Sequence, residues 1–189
     1  MNFLSRRGRG SLSFRAVNKR DSADYRPDMQ RHHLLPRGLL GLGTLSRFFR
    51  TIRPQSVGYE DFRRNGILLP RWEQAARRTG LPLHRGPHPS YDEMVTERVG
   101  EIESEWAASR LKRPKLSAIK ARLRLSLLQR SLRRELLSPN PPPLAMPRDE
   151  EIGRQMDFAE LDRMAADLWS ATEPRQSVSN LPSKASRAD

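Results

Sequence analysis

The sequence predicts a mostly helical α+β protein, and three observations support this fold class. Apolar residues recur at helical spacing in four segments, at residues 38–52, 90–106, 114–127 and 157–168. The stretch NGILLP, residues 65–70, sets three apolar residues between a turn-forming Asn-Gly pair and a proline, which is typical of a turn followed by a short buried strand. The stretch HHLLP, residues 32–36, suits a second extended segment. Together these observations predict a small sheet flanked by helices.

The composition restricts the chemistry that the chain can perform. Its 189 residues include 35 Lys and Arg against 22 Asp and Glu, a formal charge of +13, which favours a polyanionic partner such as nucleic acid or an anionic membrane surface. Cysteine is absent, which excludes disulfides, a thiolate nucleophile and Cys-ligated zinc. Any metal must therefore be held by His and carboxylate side chains.

Residues 1–28 are rich in Arg, Ser and Gly without a sustained apolar period, so we expect a disordered basic arm. No apolar run follows the early arginine pair that could serve as a secretory or twin-arginine signal. No window approaches the roughly 20 apolar residues needed to span a bilayer, and we expect no membrane insertion. A cytoplasmic location and secretion by a signal-independent route both fit this pattern.

Two helical segments flank the predicted strand at residues 65–70. Residues 38–52 predict a short amphipathic helix whose apolar positions are Leu42, Leu45, Phe48 or Phe49, and Ile52. The stretch RWEQAARRTG, residues 71–80, predicts one or two helical turns that end at Gly80, with two arginines near the negative end of the helix dipole.

A longer helix is predicted from Ser90, because Ser90 followed by Glu93 forms a capping box. The apolar face behind this box consists of Val95, Val99, Ile102 and Trp106. The opposite face carries Glu97, Glu101 and Glu105. Their four-residue spacing would allow a metal cluster, but a solvated helix face is the more common meaning of such a pattern.

Pro114 suits the first turn of a further helix, with a predicted apolar stripe of Leu116, Ile119, Leu123 and Leu127. The same helix is rich in Lys and Arg. Basic amphipathic helices can bind membranes or acidic partners. We favour packing on the preceding acidic helix, with the basic side toward solvent or phosphate.

The C-terminal part is predicted in three pieces. Residues 138–147 contain five prolines and predict a Pro-rich linker. Residues 148–170 predict a short helical segment, in which Asp157 and Glu160 can cap the apolar positions that follow. Residues 171–189 predict a disordered tail.

The four histidines fall in two pairs, His32 with His33 and His84 with His88. Neighbouring side chains of an extended strand point to opposite faces, so one ring of the adjacent pair can bind a metal while the other handles a proton. The second pair directly precedes the helix predicted from Ser90, which can hold it near a rigid element. The two pairs therefore suggest a hydrolytic metal site.

The motifs HHLLP, NGILLP and HRGPHPSYDEMV, in this order, resemble the AHH branch of the HNH/endonuclease VII nucleases. That family is named for an Ala-His-His motif and is known mainly as toxin modules of bacterial polymorphic toxins. The resemblance covers residues 29–106 and implies a ββα-metal, treble-clef-like core. We accordingly expect a nuclease domain over residues 29–137, with the basic helix as its C-terminal extension.

The resemblance also implies roles for individual residues. His32 would bind a metal and His33 would act as the general base that activates water. Asn65 would orient the base through its amide oxygen. His84 and His88 would complete the metal site. The implied cofactor is one divalent ion, whose identity stays open among zinc, magnesium, nickel and manganese.

Basic residues near these motifs, namely Arg31, Arg37 and Arg85, would guide the nucleic-acid backbone without reading its sequence. Arg31 stands where the family motif has alanine. The expected function is metal-dependent hydrolysis of nucleic-acid phosphodiesters, with DNA favoured over RNA by resemblance. The resemblance further implies a bacterial toxin effector with an immunity protein as partner.

Two alternatives compete with this expectation. The chain would be a non-catalytic basic nucleic-acid-binding module if the histidines held only a structural metal. It would be a membrane- or partner-binding helical protein if residues 114–137 carried its activity. Substitution of His33 separates the first alternative from a nuclease, and deletion of residues 114–137 separates the second.

Overall fold

The α+β prediction is confirmed by the computed structural model, which describes residues 10–141 together with Leu144, Ala159, Arg163 and Met164. The protein is mostly helical, with one small two-stranded sheet. The strands are β1 (Met29–His33) and β2 (Gly66–Pro70). The helices are α1 (Gly43–Ile52), α2 (Pro54–Val57), α3 (Phe62–Asn65), α4 (Glu73–Thr79), α5 (Pro89–Ser109) and α6 (Pro114–Leu136). Short 3-10 helices lie at Phe14–Ala16 and Arg37–Gly41.

The sheet brings the two sequence motifs together. Strands β1 and β2 pair antiparallel, with His32 opposite Ile67 and His33 opposite Gly66. Because side chains alternate along a strand, His32 and His33 point to opposite faces of this sheet. Helix α5 follows the sheet after α4, which gives the β-β-α order that the resemblance implies.

The hydrophobic core lies between the sheet and helices α1, α5 and α6. The predicted face of α5 is confirmed, since Val95, Val99, Ile102 and Trp106 are all buried. The start of α5 differs from the prediction, because Pro89 is the first helical residue and His88 is the N-cap. Proline is well suited to this first position, where a backbone N–H would have no partner within the helix.

Helix α6 begins at Pro114 as predicted, but its predicted apolar stripe is only partly confirmed. Leu127 is buried and Leu116 is half-buried, whereas Ile119 is 56% exposed and Leu123 is 37% exposed. The buried face instead includes Ala121, Leu125, Leu128, Leu132 and Leu136. This second stripe continues over the whole length of the 23-residue helix, whereas the predicted one ends at its middle. The packing of α6 on the acidic helix includes an ion pair between Arg124 and Glu105.

The predicted disordered arm over residues 1–28 is contradicted from residue 10 onward. Leu12 donates its N–H to Asp61 Oδ1 at 3.1 Å, and its carbonyl accepts from the N–H of Phe62 at 2.7 Å. The side chain of Phe14 is buried. One aromatic anchor and a set of backbone hydrogen bonds therefore order this segment, although it has no apolar period.

Asn18 orders the second half of the same segment. It adopts a left-handed backbone with φ of 50°. Its side chain accepts from the N–H of Arg26 at 2.7 Å and donates to the carbonyls of Arg26 at 2.9 Å and Met29 at 3.0 Å. An Asn side chain that bonds to nearby backbone in this way stabilises a turn. This turn directly precedes strand β1 in the chain.

The predicted short helix over residues 148–170 and the tail over residues 171–189 lie outside the described residues, apart from the three isolated positions named above. The predicted linker over residues 138–147 is described only in part, and in it Leu144 is buried against the core. Within the described ranges, no helix combines the length and the hydrophobicity that crossing a membrane requires.

Candidate active site

Three of the four histidines converge on one point. His32 lies in β1, and His88 is the N-cap of α5. His84 lies in the loop before α5, where its N–H donates to the carbonyl of Pro70 at 2.8 Å and so ties the loop to the end of β2. One ring nitrogen from each histidine lies within 4.8 Å of the others. Both histidines of HRGPH therefore belong to the cluster.

A hydrogen bond fixes the orientation of the His84 ring. Its Nδ1 lies 2.8 Å from Oε1 of Gln30. An amide oxygen can only accept, so Nδ1 carries the proton and Nε2 presents its lone pair. That Nε2 lies 3.1 Å from Nδ1 of His32. Two nitrogens that share a tetrahedral ion at about 2.0–2.1 Å lie about 3.3 Å apart, so this separation suits a pair of metal ligands.

The His88 ring also fits a bound cation. Both of its ring nitrogens are buried, and among the described residues they have no hydrogen-bond partner. An unpaired buried polar group costs about 1–3 kcal/mol, and a cation bound by one of these two nitrogens would offset that cost for it. The donor set, three imidazoles, suits a divalent transition metal. The residues present therefore fit the ion that the resemblance implies.

Burial keeps the three rings neutral. It lowers the pKa of His32 to about 3, with a smaller contribution from the nearby His84 and His88. Burial, with a contribution from His88, lowers the pKa of His84 to about 4, and burial also lowers the pKa of His88. Neutral imidazole is the form that binds a metal, so the cluster is ready for a cation near neutral pH.

His33 occupies a separate environment on the other face of the sheet. Its ring stacks on the ring of Phe14, with centroids 3.7 Å apart and planes within 5° of parallel. Burial lowers the pKa of His33, Arg37 and Arg31 lower it further, and Glu60 opposes them. His33 is thus a neutral imidazole near physiological pH, which is the form that can accept a proton.

A second aromatic ring supports the Phe14–His33 stack. Phe62 contacts Phe14 edge to face, with centroids 5.1 Å apart. The residue opposite His33 in the sheet is Gly66, and a Cβ at this position would collide with the Phe62 ring. Glycine at position 66 therefore leaves room for the Phe62 ring, which in turn supports the Phe14 ring on His33.

The predicted role of Asn65 as a direct orienter of the His33 ring differs from the geometry. Its Oδ1 accepts from the N–H of Leu35 at 2.8 Å and from Nε2 of Gln129 at 3.2 Å. Its Nδ2 donates to the carbonyls of Leu35 at 3.3 Å and Tyr59 at 3.0 Å. The fully buried amide is thus committed to these groups, and it holds the backbone two residues after His33. The Asn65 side chain therefore contacts the backbone that follows His33.

The three predicted phosphate-guiding arginines lie in different settings. Arg31 is exposed, but its Nη1 donates to the carbonyls of Phe14 at 2.8 Å and Val17 at 3.4 Å, so it also holds the N-terminal segment. Arg37 and Arg85 are exposed. Contact of any of the three with phosphate stays a prediction.

Sequence reasoning missed two residues of the site, Gln30 and Phe14. Gln30 had a usable signal, because residues two apart in a strand share a face and Gln30 precedes His32 by two. Phe14 had none, because it reaches His33 through tertiary packing across 19 positions of chain that show no apolar period.

Comparison with known families places most of the chain in a described family. Residues 14–132 match the sequence model of AHH, described as a nuclease family of the HNH/ENDO VII superfamily with conserved AHH. The match includes Phe14, β1, β2 and all four histidines, with Arg-His-His at residues 31–33 in place of Ala-His-His. No curated protein and no solved structure matches the chain significantly. The chain belongs to the AHH nuclease family of the HNH/endonuclease VII superfamily.

Proposed function

We propose that this protein is a metal-dependent endonuclease that hydrolyses nucleic-acid phosphodiester bonds, with DNA as the favoured substrate. Its family is a nuclease family, and a nuclease acts on nucleic acid. The observation that supports the proposal is that two adjacent histidines of strand β1 point to opposite faces of the sheet. His32 joins His84 and His88 in a cluster of metal-binding type, while the adjacent His33 faces away from it.

His32, His84 and His88 are the residues that would hold the ion. When bound, a divalent cation supplies positive charge that stabilises the charge developing on the phosphate and on the leaving 3′ oxygen. Gln30 keeps the proton of His84 on Nδ1, so that Nε2 stays available as a ligand.

His33 is the proposed general base. Its neutral imidazole accepts a proton from the water that attacks phosphorus, the new P–O bond forms, and the bond from phosphorus to the 3′ oxygen breaks. Phe14 fixes the plane of the ring, and Asn65 fixes the backbone that follows it. Base catalysis of this kind contributes about 10²–10⁴-fold to the rate.

The formal charge of +13 supports nucleic acid as the partner. We assign Arg31, Arg37 and Arg85 to contacts with the phosphate backbone, which position the substrate without reading its sequence. Preference for DNA over RNA follows from the family resemblance alone, and cleavage of matched DNA and RNA strands measures it.

A toxin role with an immunity protein as partner is a further proposal from the same resemblance. Expression of the wild-type chain in a bacterial host is expected to arrest growth, whereas the His33→Ala variant is expected to be tolerated. Equal growth with both chains would contradict the toxin role but not the nuclease proposal.

Plasmid cleavage tests the proposed function. The purified chain is treated with a chelator and then given zinc, magnesium, nickel or manganese separately. Cleavage is expected to require one of these ions and to be lost again when chelator is added. Metal binding without cleavage under any of these conditions would instead support the non-catalytic binding module.

A further inference from the structure

A cavity of about 680 Å³ lies between β1 and the segment that precedes it. Its volume falls within the range of about 300–1,000 Å³ that is typical of ligand sites. The lining residues that matter for binding are Arg15, Lys19, Arg20, Tyr25, Gln30 and Arg31. All but Gln30 and Arg31 come from residues 14–28, which sequence reasoning assigned to a disordered arm.

The charge of the cavity suits a polyanion. Arg15, Lys19, Arg20 and Arg31 are four cations, and Asp21 is the one acidic residue of the lining. Arg15, Lys19 and Arg20 are solvent-exposed, so a phosphate can reach them. Tyr25 is half-buried in the same wall and offers an aromatic ring to a base.

The wall that carries these cations is ordered before any ligand arrives. Three hydrogen bonds from the Asn18 side chain hold the turn to Arg26 and Met29. The guanidinium of Arg31 donates to the carbonyls of Phe14 and Val17. A pre-formed wall lowers the entropic cost of binding, because the chain does not have to be ordered by the ligand.

Gln30 connects the cavity to the candidate active site. It belongs to the lining, and its Oε1 accepts from Nδ1 of His84. Phe14, which stacks on His33, directly precedes Arg15 in the chain. The cavity is therefore linked to the cluster through Gln30, and Arg15 of its lining follows the residue that stacks on the proposed base.

We propose that this cavity binds the nucleic-acid strand that flanks the scissile bond, with phosphates on Arg15, Lys19 and Arg20 and a base on Tyr25. The proposal rests on the proposed nuclease function and deepens it. Residues 15–25 are the substrate-binding wall of the nuclease domain, and the ligand is a polynucleotide backbone, not an isolated phosphate.

Binding of a fluorescently labelled DNA tests the proposal. The chelator-treated chain with its native His33 serves as background, because the DNA is then expected to stay uncut while the stack of His33 on Phe14 is kept. In this background the triple variant Arg15→Ala, Lys19→Ala, Arg20→Ala is compared with the triple variant Lys112→Ala, Arg113→Ala, Lys115→Ala. The second set removes the same charge from exposed residues at the connection between α5 and α6.

The cavity triple variant is expected to weaken binding on the order of tenfold or more. It is also expected to make the slope of log affinity against log salt shallower by about two to three units, since each lost phosphate contact removes about 0.9. The control triple is expected to keep the slope within about one unit of the background. Equal effects of the two triples would overturn the proposal.

Three further results keep the outcomes distinct. Asp21→Asn removes the acidic residue of the lining, so it is expected to tighten binding of the DNA even if the triple variant does not fold. Weaker or unchanged binding would contradict the proposal.

Inorganic phosphate is expected to compete with the labelled DNA only at a far higher concentration than an oligonucleotide does. Equal competition would mean that the cavity binds phosphate alone and not a polynucleotide backbone. If instead His33→Ala cleaves normally while the salt effects hold, the proposed base fails and the cavity assignment stands.

Discussion

The plane of the His33 ring is set by the stacked ring of Phe14 and not by the Asn65 amide. Face-to-face stacking restricts the tilt of the imidazole. Its Nε2 is buried and has no hydrogen-bond partner among the described residues. A base held in this way stays neutral, because burial lowers its pKa.

Phe14→Leu is the substitution that tests this positioning. Leucine keeps an apolar group in the pocket but loses the stack, which is worth about 0.5–1.5 kcal/mol. The kcat of cleavage is expected to fall about threefold to tenfold, with KM within about twofold of wild type. Phe14→Tyr keeps the ring and is expected to restore kcat, so an equal loss in both variants would show a merely structural role.

Gln30→Leu tests the hydrogen bond that orients His84. Without the acceptor, Nδ1 of His84 loses its partner and the ring is free to turn. Affinity for the ion, measured by calorimetric titration, is expected to fall about 10- to 100-fold. Gln30→Glu retains an acceptor oxygen and is expected to keep most of the affinity, whereas unchanged affinity in the leucine variant would remove Gln30 from the site.

The stability of the chelator-treated protein should depend on pH through His32. The His32 ring has a pKa of about 3 in the folded protein, against an ordinary value of 6.5. Below pH 6.5 this ring therefore binds a proton in the unfolded chain but stays neutral in the folded protein, which favours unfolding. This contribution is complete above pH 6.5 and is lost as the pH falls toward 3. His32 alone is expected to make the protein about 1.5–2 kcal/mol less stable near pH 5 than near pH 6.5, and the lowered pKa of His84 adds to the same loss; chemical denaturation measures it.

His32→Leu provides the control for that pH dependence. Leucine fills the buried position without a titrating group, so the difference between the two pH values is expected to shrink. An unchanged difference would assign the titration to another group.

At the scale of elements, α6 stabilises the fold through its second leucine stripe. Leu128 is fully buried, and Leu123 is 37% exposed. Leu128→Ala is therefore expected to lower the free energy of unfolding by about 2–5 kcal/mol, and Leu123→Ala by less than about 1 kcal/mol. Urea denaturation measures both, and a larger loss for Leu123→Ala would mean that the predicted stripe is the packed one after all.

Elements were predictable from the sequence where one local pattern dominates. The buried face of α5, the end of α4 at Gly80 and the strand at β2 follow from spacing and turn residues alone. The buried stripe of α6 was not predictable in the same way. Two sets of leucines recur at helical spacing in that segment, and only tertiary packing determines which set is buried.

For the candidate site, the sequence indicated which residues belong to it but not which hydrogen bonds they make. The resemblance pointed to all four histidines, and the cluster of His32, His84 and His88 fits that expectation. The partners of Asn65 could not be foreseen, because Leu35 and Gln129 lie 30 and 64 positions away in the chain and Tyr59 is reached only through the fold of the intervening turn.

At the scale of the whole molecule, the segment from residue 10 to residue 28 changes the extent of the domain. Its Phe14 packs against His33 on one face of the sheet, and other residues of the segment line the basic cavity. The N–H of Leu12 also donates to Asp61, the N-cap of α3. The family match likewise begins at residue 14. The domain therefore begins before the predicted boundary at residue 29, and the proposed catalytic and binding residues lie on one continuous fold.

Paired measurements on His33→Ala and His84→Ala separate the two proposed roles, in which three histidines hold a metal and the fourth accepts the proton. Metal content and plasmid cleavage are measured on the same preparations. His33→Ala is expected to keep the ion and lose cleavage about 10²–10⁴-fold, whereas His84→Ala is expected to lose the ion and cleavage together. Cleavage by His33→Ala at the wild-type rate would contradict the role of His33 as the base. Full metal content in His84→Ala would contradict the role of His84 as a metal ligand.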